Sequence, residues 1–151
     1  MQSKANSFEW VPLSESDLLE KVGIRFGETK AGQKMKTLDT LNDSKIQFVV
    51  LGICEDLGPQ TNGGFSGAKK AFEAFFKYFV NIQSNEFFNG DSVLMLGSIQ
   101  SLVDYENKEQ GFSVIEELDE FVQEVLAPFI AENYIPIVIG GGHNNAFPLI
   151  K

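Results

Sequence analysis

The sequence predicts an α/β protein: a parallel sheet covered by helices on both faces, in a three-layer αβα arrangement. Three observations carry this. Apolar runs rich in β-branched residues stand at 46–53, 92–97 and 134–139. Stretches of helical period separate them, from Ser66 to Val80 and from Ser113 to Ile130. Strands alternating with helices imply right-handed crossovers, and so a parallel sheet. At 151 residues with 43% hydrophobic content, the chain is one domain by default and can bury a core. No repeat and no second domain is visible.

Residues 1–44 read as an amino-terminal arm. Ser14 and Asp17 resemble a helix-start pattern ahead of Leu18, Leu19 and Val22. The run Arg25 to Lys34 is polar and punctuated by glycine, and reads as a surface loop. From 45 to 151 the pattern is regular. The strand at 46–53 is followed by a loop, Cys54 to Pro59, and by Asn62-Gly-Gly-Phe-Ser-Gly67. Ala68, Phe72, Phe75, Phe76, Phe79 and Val80 then recur at three and four, giving a helix with one broad apolar face. The second strand ends at Gly97, and 99–111 reads as a polar connection. Ser113 and Glu116 fit a capping box opening the clearest helix, with Ile115, Leu118, Val122, Val125, Leu126, Phe129 and Ile130 along one side. Pro128 should bend that helix near its end. The third strand, with Ile137, Val138 and Ile139 in unbroken series, reads as buried on both faces. It stops at Gly140 to Gly142, and His143, the only histidine, follows at once before the first turns of a helix.

Charge and composition exclude several classes. A net charge of −9 disfavours binding to the phosphate backbone, so no nucleic-acid partner is expected. No apolar run approaches the roughly 20 residues that cross a bilayer, and the first ten residues lack a secretory pattern. One cysteine fits a reducing compartment, so a cytoplasmic protein is expected.

Four places bear on chemistry. Ligands of open α/β sheets bind at the carboxyl ends of the strands, where glycines let a backbone approach closely, and His143 stands at such an end. One histidine does not make a metal site, although Glu55 and Asp56 follow the first strand and so share its sheet end. The loop from Asn62 to Gly67 precedes a helix, as phosphate loops do, but it lacks Gly-x-Gly-x-x-Gly and Gly-Lys-Ser/Thr. A turn with a helix start is the preferred reading. Cys54 follows a strand, but the charges of Glu55 and Asp56 oppose a thiolate, which makes it structural. The fourteen phenylalanines, mainly at helical spacing, read as core.

Taken in order, these stretches resemble the amino-terminal half of the ureohydrolase family of arginases, agmatinases and formimidoylglutamases. Gly52-Ile-Cys-Glu-Asp56-Leu-Gly58, then Asn62-Gly-Gly64-Phe-Ser-Gly67-Ala68, is similar to that family's G-x-P-x-D-x-G and N-x-G-R-x-G-A. Leu96-Gly97-Ser98 falls where the family often has D-x-G-D. Ile137-Val-Ile-Gly-Gly-Gly-His143 is similar to P-x-x-x-G-G-[DG]-H, and Gly142 makes it more like formimidoylglutamases than arginases. The stretch Arg25 to Gly32 looks like an arm of bacterial arginase-like proteins. The departures are Phe65 for an arginine, Met95 and Ser98 for two acids, and Asn144 for Ser or Glu. They leave the substrate open and mark a divergent or catalytically altered branch.

The resemblance implies a binuclear manganese hydrolase that cleaves a guanidino or formimino C–N bond, with His143 as a metal ligand. It assigns no catalytic residue here, because the family's D-x-H-x-D and D-x-D motifs follow later strands. The chain is therefore expected to be the first half of a longer, arginase-like domain. On that expectation it is inactive alone, does not retain its two Mn2+ ions, and self-associates through uncovered apolar surface. A non-catalytic α/β binding or assembly module that has lost the metal is the alternative. A nucleotide-binding half-domain built on the loop at 62–67 is a third.

Overall fold

A computed structural model describes residues 4–42, 45–103 and 108–150. The protein is α/β with an open four-stranded sheet in the order β1-β3-β2-β4, where β1 is Phe8–Val11, β2 Phe48–Cys54, β3 Val93–Ser101 and β4 Ile135–Ile139. Strand β2 pairs in parallel with both β3 and β4. The helices are α1 (Glu15–Glu20), α2 (Leu57–Thr61), α3 (Ala71–Phe79), α4 (Lys108–Ala131) and α5 (Phe147–Ile150). Among the described residues, no helix is long and apolar enough to cross a membrane.

The sheet is mixed, which corrects the all-parallel expectation. Strand β1 lies antiparallel to β3, with Trp10 opposite Ile99. Phe8 and Trp10 alternate inward in Phe8-Glu9-Trp10-Val11, as period two requires, and both are buried. The indole of Trp10 donates to the Leu96 carbonyl at 3.0 Å. The stretch read as a surface loop, Arg25 to Lys34, contains a 3-10 turn at Ala31–Gln33 in which Ala31 and Gly32 are buried. Ser14 does cap α1, accepting from the Asp17 amide.

Along β2 the side chains alternate between two clusters. Val49, Leu51 and Ile53 pack with Leu118, Val122, Val125 and Leu126 of α4, whereas Val50 packs with Phe72 and Phe76 of α3 and with Leu18. Helix α3 carries the expected apolar face and follows a 3-10 turn at Ala68–Lys70.

Two boundaries move, and one face of a helix turns. Strand β3 continues past Gly97 to Ser101, through an irregularity in its pairing with β2. Helix α4 begins at Lys108, which leaves Ser113 and Glu116 exposed inside it rather than forming a capping box. Lys, Glu and Gln favour helix, so the polar connection extends the helix backwards. Ile130, expected on the apolar side, is half exposed, and Phe121 is buried instead.

Strand β4 is the larger correction. Among the described residues it pairs with β2 alone, and none of its own residues is buried, with Ile135 54% and Ile137 36% exposed. An unbroken apolar run thus occupies an edge rather than a centre. Pro136 is compatible with that place, since proline cannot donate to a ladder.

Candidate site at the ends of strands two and four

From β2 the chain passes to β3 on one side, and the next strand, β4, lands on the other side of β2. The connections leaving β2 and β4 diverge there, and ligands of open α/β sheets bind in such crevices. The loop after β2 carries Glu55 and Asp56, and the loop after β4 carries His143, Asn144 and Asn145. All five therefore stand at one rim, as the sequence predicts for Glu55, Asp56 and His143.

Glu55 joins the two loops. It is only 1% exposed and accepts hydrogen bonds from both sides. One oxygen takes the Gly142 amide at 2.6 Å and the Asn145 Nδ2 at 2.9 Å. The other takes the amides of Leu57 and, at 3.3 Å, Gly58. Four N–H donors account for this carboxylate. The glycines follow from that closeness. At Gly141, where φ is +70°, a Cβ would lie 2.0 Å from Asn145 Nδ2 and 2.6 Å from a Glu55 oxygen. At Gly58 it would lie 2.0 Å from Asn144 Oδ1.

Asp56 is buried and works on the other loop. Its Oδ1 accepts the amides of Gly67 and Lys69, each at 2.9 Å, and its Oδ2 lies 3.9 Å from Lys69 Nζ. The loop at 62–67 therefore spends two of its amides on a carboxylate of the same chain. That favours the turn-and-helix-start reading, since a phosphate would meet a fixed negative charge there.

His143 opens the 3-10 turn His143–Ala146 and is exposed. It lines a cavity of about 450 Å³ with Pro59, Thr61, Asn62, Phe112 and Asn144. Its ring has no hydrogen-bond partner among the described residues. A neutral imidazole is a suitable ligand for manganese or zinc. Glu55 is saturated and Asp56 holds two backbone amides, leaving only its Oδ2 without a hydrogen bond, and among the described residues no group of three or more His, Cys, Asp and Glu side chains is placed to hold a metal ion. Of the positions where the resembled family carries acids, Met95 is fully buried in the α3-side core and Ser98 accepts from Gln100 Nε2 at 2.7 Å. The donor set present does not fit a manganese pair.

A neighbouring cavity of about 270 Å³ lies between the ends of β2 and β3, lined by Cys54, Asp56, Gln60, Lys69 and Gln100. Burial pushes the Cys54 thiol above its ordinary pKa, while hydrogen bonds with Gln100 and Ser98 oppose the shift and the charge of Glu73 adds to it. Burial and Glu73, rather than the Glu55 and Asp56 charges named from the sequence, are what disfavour the thiolate here.

Two groups at this rim escape the sequence reading. The hydroxyl of Thr61, 2% exposed, and Oδ1 of Asn144 are buried without a hydrogen-bond partner among the described residues. A threonine closing a five-residue helix gives no signal in sequence. Asn144 stands out only as a departure from the resembled motif. Compared with family models, curated proteins and solved structures, the chain matches none.

Proposed function

We propose that this chain carries one rim of an amidino-hydrolase site of the ureohydrolase type, acting on a guanidino or formimino C–N bond, within a three-layer αβα, arginase-like fold. The observation that carries the reading is the placement of an exposed, unpartnered imidazole, His143, at the carboxyl end of β4 beside the β2 loop. In this scheme His143 contributes one ligand to manganese. The remaining ligands come from outside the described residues, because Glu55 is saturated and Asp56 keeps only its Oδ2 without a hydrogen bond. No catalytic step is assigned to this chain, which is inactive alone. A cytoplasmic setting and self-association through the open side of β4 belong to the same proposal.

Manganese titration by calorimetry, on the chain and on His143→Ala, tests it. Weak binding of a single ion, lost in the variant, is the expected result. Equal binding by both proteins would remove His143 from the metal and with it the hydrolase reading.

The alternative, a non-catalytic α/β binding module, is favoured by one observation. Every carboxylate oxygen of Glu55 is satisfied within the protein, so the rim is already complete as a fold element. Absence of any manganese binding by the parent chain would support it.

A further inference from the structure

We propose that the crevice between the carboxyl ends of β2 and β4 binds a small neutral ligand bearing a planar amide, held by Thr61 and Asn144 against a wall made by Phe112 and Ile115. The inference does not rest on the metal reading, since it requires no ion.

Position, shape and unspent hydrogen bonding converge on this place. The crevice lies where the connections from β2 and β4 diverge. Its cavity of about 450 Å³ is of the size that encloses small metabolites, and Pro59, Phe112 and Ile115 give it an apolar side. Thr61 and Asn144 line the same cavity, and each holds a buried oxygen with no partner among the described residues. Buried polar groups are nearly always paired, and each exception costs the desolvation of that group unless something completes it. Two exceptions in one cavity point to one occupant.

The charges around the crevice set the class of that occupant. Glu55, the carboxylate behind it, is saturated by Leu57, Gly58, Gly142 and Asn145. Asp56, whose Oδ2 has no hydrogen bond, faces Lys69 at 3.9 Å and lines the neighbouring cavity, so a cationic ligand finds no free counter-charge in this one. An anion would enter a protein of net charge −9, and Lys69, the basic residue at this rim, lines the neighbouring cavity instead. A neutral group that offers N–H and C=O side by side answers both demands: Asn144 Oδ1 accepts its N–H and the Thr61 hydroxyl donates to its carbonyl. A flat apolar body fits against the Phe112 ring and Ile115, with the His143 imidazole at the mouth.

The test uses benzamide as probe, with benzoate and benzamidine as anionic and cationic controls of nearly the same shape. Each is titrated into the isotopically labelled chain and followed by amide chemical shifts. Benzamide should move the resonances of Thr61, Phe112 and Asn144 saturably, and both controls should bind about tenfold more weakly. Thr61→Val should weaken benzamide about tenfold while melting no lower than the parent, because it removes an unpaired hydroxyl. Ile115→Trp, which fills the cavity from its other side, should abolish the shifts in a protein that still gives a dispersed spectrum. Failure of benzamide to move those resonances, or unchanged affinity in Thr61→Val, overturns the proposal. Tighter binding of benzamidine than of benzamide also overturns it, while leaving the amidino-hydrolase reading standing.

Discussion

The two edges of the sheet are built in opposite ways. Strand β1 is four residues long, ends at Val11 just before Pro12, and buries Phe8 and Trp10. Ser7, just before it, donates to Glu117 of α4 through its amide at 2.8 Å and its hydroxyl at 2.6 Å. Strand β4 pairs, among the described residues, with β2 alone and leaves Ile135 and Ile137 partly in solvent. One edge is short, bolted down and apolar inward, which is how edges are protected; the other is flat and apolar outward. The difference separates stability from function, because the candidate site stands at the end of the open strand, where surface has been left uncommitted.

The sealed edge should break most expensively. Trp10→Ala removes a buried indole and its hydrogen bond to the Leu96 carbonyl, and should cost about 3–5 kcal/mol of unfolding free energy in urea. A cost under about 1 kcal/mol would mean that β1 is an ornament rather than part of the core.

The next effect belongs to the bridge between the two loops. Glu55→Gln replaces two accepting oxygens by one and turns an amide group towards backbone donors. It should cost about 2–3 kcal/mol, since a buried group bonded to a charge loses its partner. Hydrogen exchange at Gly142 should accelerate in the same variant. Unchanged protection there would show that the loop after β4 holds itself without Glu55.

At the open edge, Ile137→Lys should leave stability within about 0.5 kcal/mol of the parent, because the side chain is already partly solvated. It should nevertheless shift sedimentation towards monomer, since an edge lysine blocks strand-to-strand pairing. A parent chain that sediments as monomer at high concentration removes self-association from the proposal.

What the sequence made legible follows the length and regularity of its patterns. Strand β2, helix α3 and the second half of α4 show many apolar positions at one period, and all three form. Strand β1 has four residues and a partner some ninety positions away, so no local signal announces it. Its trace lies in Gly97, read as a strand end. At φ +94° a Cβ there would meet the Val11 carbonyl oxygen at 2.2 Å, so this glycine marks where the chain leaving β1 presses against β3. In β4 the apolar run gives the strand correctly but not its neighbours, because burial depends on what packs over it. At the site, the place of His143 after three glycines is readable. The saturation of Glu55 and the unpaired Thr61 are not, since both arise from atoms brought together across the fold.

The smallest effect tests whether the sealed side also relies on charge. Asp39 accepts from the Thr37 hydroxyl and, at 3.1 Å, from the Glu15 amide at the start of α1. The Thr37 bond first, then the Glu15 bond, holds its carboxyl below the ordinary carboxylate range. A carboxyl depressed in the folded state adds stability above its unfolded pKa, and that share disappears as pH falls through the folded value. Asp39→Asn should therefore lower the melting temperature slightly at neutral pH and leave it unchanged in strong acid, where both proteins carry a neutral side chain. Melting curves of the two proteins should converge as pH falls through the acidic range. A gap that persists in acid would assign the contribution of Asp39 to geometry alone and leave the β1 side of the molecule held by packing, with no electrostatic share at this turn.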